Sequence, residues 1–271
     1  MSTMKTTDLA ALKQAHGLLH TPSLAIQAAN LIGKPIEIGL EMLPEGGRDM
    51  IMKATRVSLK KATDVAISTL GDNTKQKASP WWHKAGVAAS GAVGGAFGMG
   101  ALAVELPIST VLMLRSIGDI ARAEGEDITN PQAQLECLTV FALGGETEGD
   151  DNAETGYYAA RYGLARAMAE AVEHLARNAV VDAGSPILIR FITQIAERFS
   201  IQVSEKVMVQ AIPILGAIGG ATINTLFIDH FQNMARGHFI VRRLERQYGA
   251  ELVQKEFNRL SGFTPTDDTS A

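Results

Sequence analysis

The sequence predicts an all-α protein, a compact multi-helix bundle of about eight to ten helices with two central glycine-rich apolar helices. Three observations carry that prediction. Apolar residues recur at helical spacing along most of the chain, while strand-like alternation is scarce. Two segments without charge, residues 85–104 and 207–228, place Gly at i and i+4, at Gly91/Gly95, Gly94/Gly98 and Gly216/Gly220. That spacing bares a helix face so that a second backbone can come close. Helix start and stop signals then punctuate the chain, with Thr129-Asn130-Pro131 and Ser185-Pro186 as starts and Gly71 and Gly144-Gly145 as stops.

Taken in order, residues 1–20 read as a loose N-terminal segment, 21–260 as a single helical domain and 261–271 as a disordered tail. A helix is expected from Pro22 to Leu43, stopped by Pro44 and Gly46-Gly47. The next, from Arg48 to Leu70, carries Arg48, Lys53, Arg56, Lys60 and Lys61 against few acids. The first glycine-rich segment follows, opened by Trp81-Trp82-His83-Lys84, and a helix over 105–122 continues it. After the helix starting at Pro131 comes an acidic loop, residues 144–156, which does not fit a calcium-loop order. Over 155–180, Tyr158, Tyr162, Ala165, Ala169, Val172, Ala176 and Ala179 form an apolar stripe read as a core seam. Further helices are expected over 186–199, 202–228, 229–248 and 250–260.

Composition narrows the function. The chain has 271 residues, 46% of them hydrophobic and 20% charged, with a formal net charge of −4. No bulk basic field points to nucleic acid, and no nucleic-acid signature is present. A single cysteine, Cys137, excludes an intrachain disulfide and a cysteine-rich metal site, and suits a reducing cytoplasm. No Walker motif, dinucleotide fingerprint, nucleophile elbow or zinc-protease motif occurs, so neither cofactor nor metal is expected. The two uncharged segments reach the roughly 20 residues a bilayer core requires. Their Gly and Ala insert weakly, so they read as a buried helix pair, with reversible insertion or peripheral docking at a membrane, and permanent spanning, as the alternatives.

The ionisable residues beside those segments are the site candidates. Glu105 follows the first segment and His230 the second, each at the same offset from a Gly-Ala-x-Gly-Gly run starting at Gly91 or Gly216. A carboxylate and an imidazole in that setting are the pair a general acid–base site would use. Arg115, Asp229, Arg236 and His238 are the binding or structural candidates around them. The alternative for Glu105 is a carboxylate stabilising a helix N-terminus, and for the histidines, hydrogen-bonded packing of a helix seam. His16 and His20 read as a solvated surface pair. Trp81, Trp82 and Lys84 suit a membrane interface, and Lys53, Arg56, Lys60 and Lys61 suit an anionic surface.

The runs WWHKAGVAASGAVGGAFGMGALAVELPISTVLMLRSIGDIARAEGED, CLTVFALGG, GYYAARYGLA and IPILGAIGGATINTLFIDHFQNMARGHFIVRRLERQYG resemble the EcsC protein family. The likeness extends over roughly residues 20–250. It implies a setting beside a membrane transporter of the ABC type linked to protein secretion, and it brings no agreed catalytic residues. The reading is a cytoplasmic accessory or binding protein working peripherally on the inner membrane face. The alternatives are a hydrolase, metal-dependent and peptidase-like, centred on Glu105 and His230, and a lipid-binding carrier.

Overall fold

In the computed structural model of the chain, residues 4–32, 43, 45–69, 99–144, 153–178, 183–212 and 220–260 are described. Among them are nine α-helices and one short 3-10 turn, with no strand. The helices are α1 (Thr6–Leu19), α2 (Leu24–Ile32), α3 (Gly47–Thr69), α4 (Met99–Ala123), α5 (Pro131–Thr139), α6 (Ala153–Arg177), α7 (Pro186–Ala211), α8 (Gly220–Tyr248) and α9 (Ala250–Leu260). The 3-10 turn, Val140–Ala142, continues α5. The bundle is built around α8, which packs against α1, α4 and α9, while α3 lies across α4 and α7 and α6 bridges α5 and α7. At the centre, Phe141, Phe199, Phe227 and Phe231 form one aromatic cluster with neighbouring ring centroids 5.0 to 6.1 Å apart.

Local chemistry explains where the helices begin and end. The Asn130 side chain accepts from the Gln132 N–H at 2.8 Å, with Pro131 at the first helical position of α5. Ser185 and Pro186 do the same for α7. At the end of α4, Gly125 sits at φ +81. Its N–H reaches the Arg122 carbonyl at 3.0 Å and the Glu126 N–H reaches Ala121 at 2.9 Å, the paired bonds of a Schellman cap. The α1–α8 crossing is close because residue 237 has no side chain. A Cβ on Gly237 would stand 2.6 Å from Leu19 Cγ and 3.0 Å from the Ala15 carbonyl oxygen.

Several sequence expectations are corrected. Within the segment expected to be loose, residues 1–20, the described part is ordered. Thr6–Leu19 is helical and buries Leu12, Ala15 and Leu19. Those residues recur three and four apart, a short apolar face that the polar residues between them obscure. His16 and His20 are not a solvated pair either. Their rings stack at 4.1 Å between centroids and contact Phe257, and burial with the neighbouring His20 pushes His16 down to about 4.

The break expected near residue 200 is absent, because α7 runs on to Ala211. It stops where Ile212, extended at ψ 120, precedes Pro213, whose ring disfavours helical geometry in the residue before it. No break falls at 228 either, since α8 continues through it. Glu105 is likewise not at a helix start, since α4 begins at Met99 and carries Pro107 inside it. On α6, the expected seam is turned outward, with Tyr162 60% exposed and Ala165, Ala169 and Ala176 exposed. The buried face is the adjacent one, Leu164, Ala167, Ala171 and Leu175. Burying two leucines removes more apolar area from water than burying alanines.

Expectations that fall on the glycine-rich segments up to Gly98 and over residues 213–219, on Trp81, Trp82 and Lys84, and on the acidic loop over 145–152 lie outside the described residues. No helix among the described residues is long and apolar enough to cross a membrane.

Candidate functional site

Glu105 is 6% exposed on α4, and its partner is Lys206 of α7, not Arg115 or His230. The Lys206 ammonium, wholly buried, donates to Glu105 Oε1 at 2.6 Å and lies 4.9 Å from the centre of the Phe227 ring. Burial pushes the Lys206 amine below its ordinary value, and the Glu105 charge and hydrogen bond only partly offset that. The pair is therefore an internal tie between α4 and α7.

His230 is 3% exposed on α8, and among the described residues neither ring nitrogen has a hydrogen-bond partner. Burial pushes its pKa down to about 4, so the ring is neutral at pH 7. It packs under the turn after the 3-10 segment, where a Cβ on Gly144 would come within 2.8 Å of His230 Nε2 and 2.9 Å of Met234 Sδ. Glu105 and His230, paired in the sequence reading, are thus not hydrogen-bonded to each other. Arg115 and Asp229 are half-buried, on α4 and α8, and Arg236 is exposed and donates to Asn233 at 3.2 Å.

The fourth candidate on α8, His238, sits in a buried polar network. Its Nε2 is 3.0 Å from Glu136 Oε2 and its Nδ1 is 3.1 Å from the Tyr157 hydroxyl. Burial alone would raise Glu136, but the His238 hydrogen bond and the guanidiniums of Arg242 and Arg161 outweigh it and hold the carboxyl at about 2. Burial keeps His238 below its usual range despite Glu136, so the imidazole is neutral. With the Glu136 carboxylate only able to accept, Nε2 carries the proton, and Nδ1 accepts from Tyr157. Tyr157 accepts in turn from Arg161 Nη1 at 3.4 Å.

Two arginines clamp this chain at either end. Arg161 grips Glu245 with both terminal nitrogens, at 2.7 and 2.9 Å. Arg242 joins Glu136, at 2.6 Å, to Glu126, at 2.8 Å. Glu126 also pairs with Arg246, and Glu124 with Arg243 at 2.8 Å. The C-terminal half of α8 is thereby fixed to α5, α6 and the loop after α4. Tyr157 is held protonated by burial, and Glu136 has both oxygens occupied. The arrangement positions helices and walls, and presents no free base beside a nucleophile.

The network borders a cleft of about 540 Å³. Glu136, Arg161 and Glu245 stand at its polar end, and the outward face of α6 forms its apolar flank with Ala165, Met168, Ala169 and Val172, beside the buried Leu164. Gln254 of α9 faces them. A second cleft of about 390 Å³ lies between the α1–α2 turn, the Leu143–Gly144 turn and α7, with Tyr157 in its wall. Among the described residues, no three His, Cys, Asp or Glu side chains gather as a metal ion requires.

Sequence reasoning named His238 but missed Glu136, Tyr157, Arg161, Arg242 and Glu245. A signal existed for the first, because Glu136 is the lone charge in a run, Ala133–Thr139, that is buried throughout. Comparison with protein families matches the chain, over residues 16–244, to the EcsC protein family. Comparison with curated proteins and with solved structures gave no match.

Proposed function

The chain belongs to the EcsC protein family, and we propose that it acts as an accessory or binding module docked peripherally on an anionic membrane surface, at the cytoplasmic face. The observation that carries this reading is the outward face of α3. Lys53, Arg56, Lys60 and Lys61 are all exposed and lie within an arc of about 140° around the helix. None of the four is ion-paired among the described residues. Met50 and Val57, 46% and 53% exposed, share that arc, so apolar side chains stand among the cations. Asp49 and Asp64 are its acids, leaving the face net positive. Each basic residue close to an anionic lipid surface contributes about 1 kcal/mol, and the apolar side chains add partial burial at the headgroup level. A membrane transporter of the ABC type is the partner that the family resemblance suggests.

A hydrolase centred on Glu105 and His230 has less support, since the carboxylate is engaged by Lys206 and the imidazole is covered. Vesicle sedimentation tests the membrane reading. Binding to vesicles with anionic lipid at 0.1 M salt, and release at 1 M as the Debye length falls from about 10 to about 3 Å, is the expected result. Equal recovery with neutral vesicles, or no binding to either, overturns it.

A further inference from the structure

We propose that the cleft between α5, α6 and α9 binds a small uncharged amphiphile, a molecule with an apolar chain and a carbonyl-type acceptor. Four features of the cleft converge on that class. Its volume of about 540 Å³ falls within the range of small-molecule sites, about 300 to 1,000 Å³. Its flank is the outward face of α6, where Ala165 and Ala169 leave a flat apolar floor between Met168 and Val172. This is the face whose spacing resembles a helix-packing seam, and α9 meets it at Tyr158 and Tyr162, through Phe257 and Gln254, while Ala165, Ala169 and Ala176 beyond them are exposed.

The charges at the polar end are already balanced. Glu245 neutralises Arg161 through two hydrogen bonds, Arg242 neutralises Glu136, whose other oxygen faces His238, and Glu173, also in the lining, is paired with Arg177. A charged headgroup therefore finds no free counter-ion there, and placing one against these paired groups is disfavoured.

Among the buried side-chain atoms of the lining, one donor is unpaired. Tyr158 lines the cleft and is 6% exposed, and its buried hydroxyl has no hydrogen-bond partner among the described residues. A buried polar group left unpaired is costly, and an acceptor brought in by a ligand removes that cost. The ring itself is fixed, packed edge-on against Tyr157 and Phe257 with the Arg161 guanidinium 5.6 Å from its centre. The ligand's acceptor oxygen accepts a hydrogen bond from the Tyr158 hydroxyl, and its chain runs along Ala165, Ala169 and Val172. This site is independent of the basic face of α3, so it can hold whether or not the membrane reading does.

The test uses the full chain and three probes below their micelle-forming concentrations: monododecanoylglycerol, dodecanoate and dodecyltrimethylammonium. Isothermal titration calorimetry is expected to give saturable binding of the uncharged ester, at least tenfold tighter than either ion. Tyr158→Phe, which keeps the ring and deletes the unused hydroxyl, should weaken ester binding about tenfold, the scale of one hydrogen bond. Ala169→Trp, at an exposed position, should fill the cleft and abolish binding while thermal unfolding stays close to that of the parent. No binding of the ester, tighter binding of either ion, or parent-like binding by either variant overturns the proposal. So does a parent dimer in sedimentation equilibrium that Ala169→Trp dissolves, because the α6 face would then be a self-association surface.

Discussion

The Glu105–Lys206 tie gives the sharpest expectation for a single side chain. Both partners are buried, so removing either leaves an uncompensated charge in a low-dielectric setting. Glu105→Gln should cost about 3–5 kcal/mol in denaturant unfolding, with Lys206→Met similar. The double replacement Glu105→Leu/Lys206→Met should recover most of that loss. Additive losses in this cycle would contradict a direct pair. His230 sets a pH dependence. Its value in the folded chain, about 4, lies below the 6.5 of a free imidazole, so the unfolded chain binds more protons between those values. Stability present above pH 6.5 is therefore lost as the pH falls toward 4, by about 3 kcal/mol from this residue. His230→Leu should flatten that fall in melts from pH 7 to 4, and an unchanged slope would contradict a neutral buried ring. Glu105, His230 and His238 were legible as candidates because an ionisable group stands out against an apolar background. Their partners were not. Lys206 is 101 positions from Glu105, and His238 meets Glu136 across 102, contacts that only the tertiary fold creates.

At the scale of elements, helix identity was plain in the sequence wherever a cap or a proline marked it, as at Asn130-Pro131 and Ser185-Pro186. Helix ends without such a mark were misplaced. The sequence reading split α7 near residue 200 and α8 at 228, although no Gly or Pro interrupts the chain at either place and Pro213 supplies the real stop after α7. The face of α6 was misassigned because two apolar stripes lie one residue apart, about 100° around the helix, and only packing chooses between them. The close crossing of α1 over α8 was also unread, since Gly237 sits alone rather than in a Gly-x-x-x-Gly pair. Gly237→Ala should force Leu19 and the α1 backbone aside and cost about 1–3 kcal/mol in thermal or denaturant unfolding. A variant as stable as the parent would mean that α1 is free to shift.

For the whole molecule, the described residues separate three regions of different character. A buried ionic network fixes the C-terminal half of α8 to α5 and α6, an apolar cleft opens beside it, and a basic face is exposed on α3. The network is internal, whereas the basic face of α3 is exposed to a charged surface. The net charge of −4 sharpens this point, because attraction to anionic lipid must come from a local cluster acting within a Debye length and not from the protein as a whole. Reversing two of those charges is the most direct test. Lys53→Glu/Lys60→Glu changes exposed side chains, so its melt should match the parent, and partition onto anionic vesicles at 0.1 M salt should fall at least tenfold. A folded variant that partitions as well as the parent would contradict docking through α3.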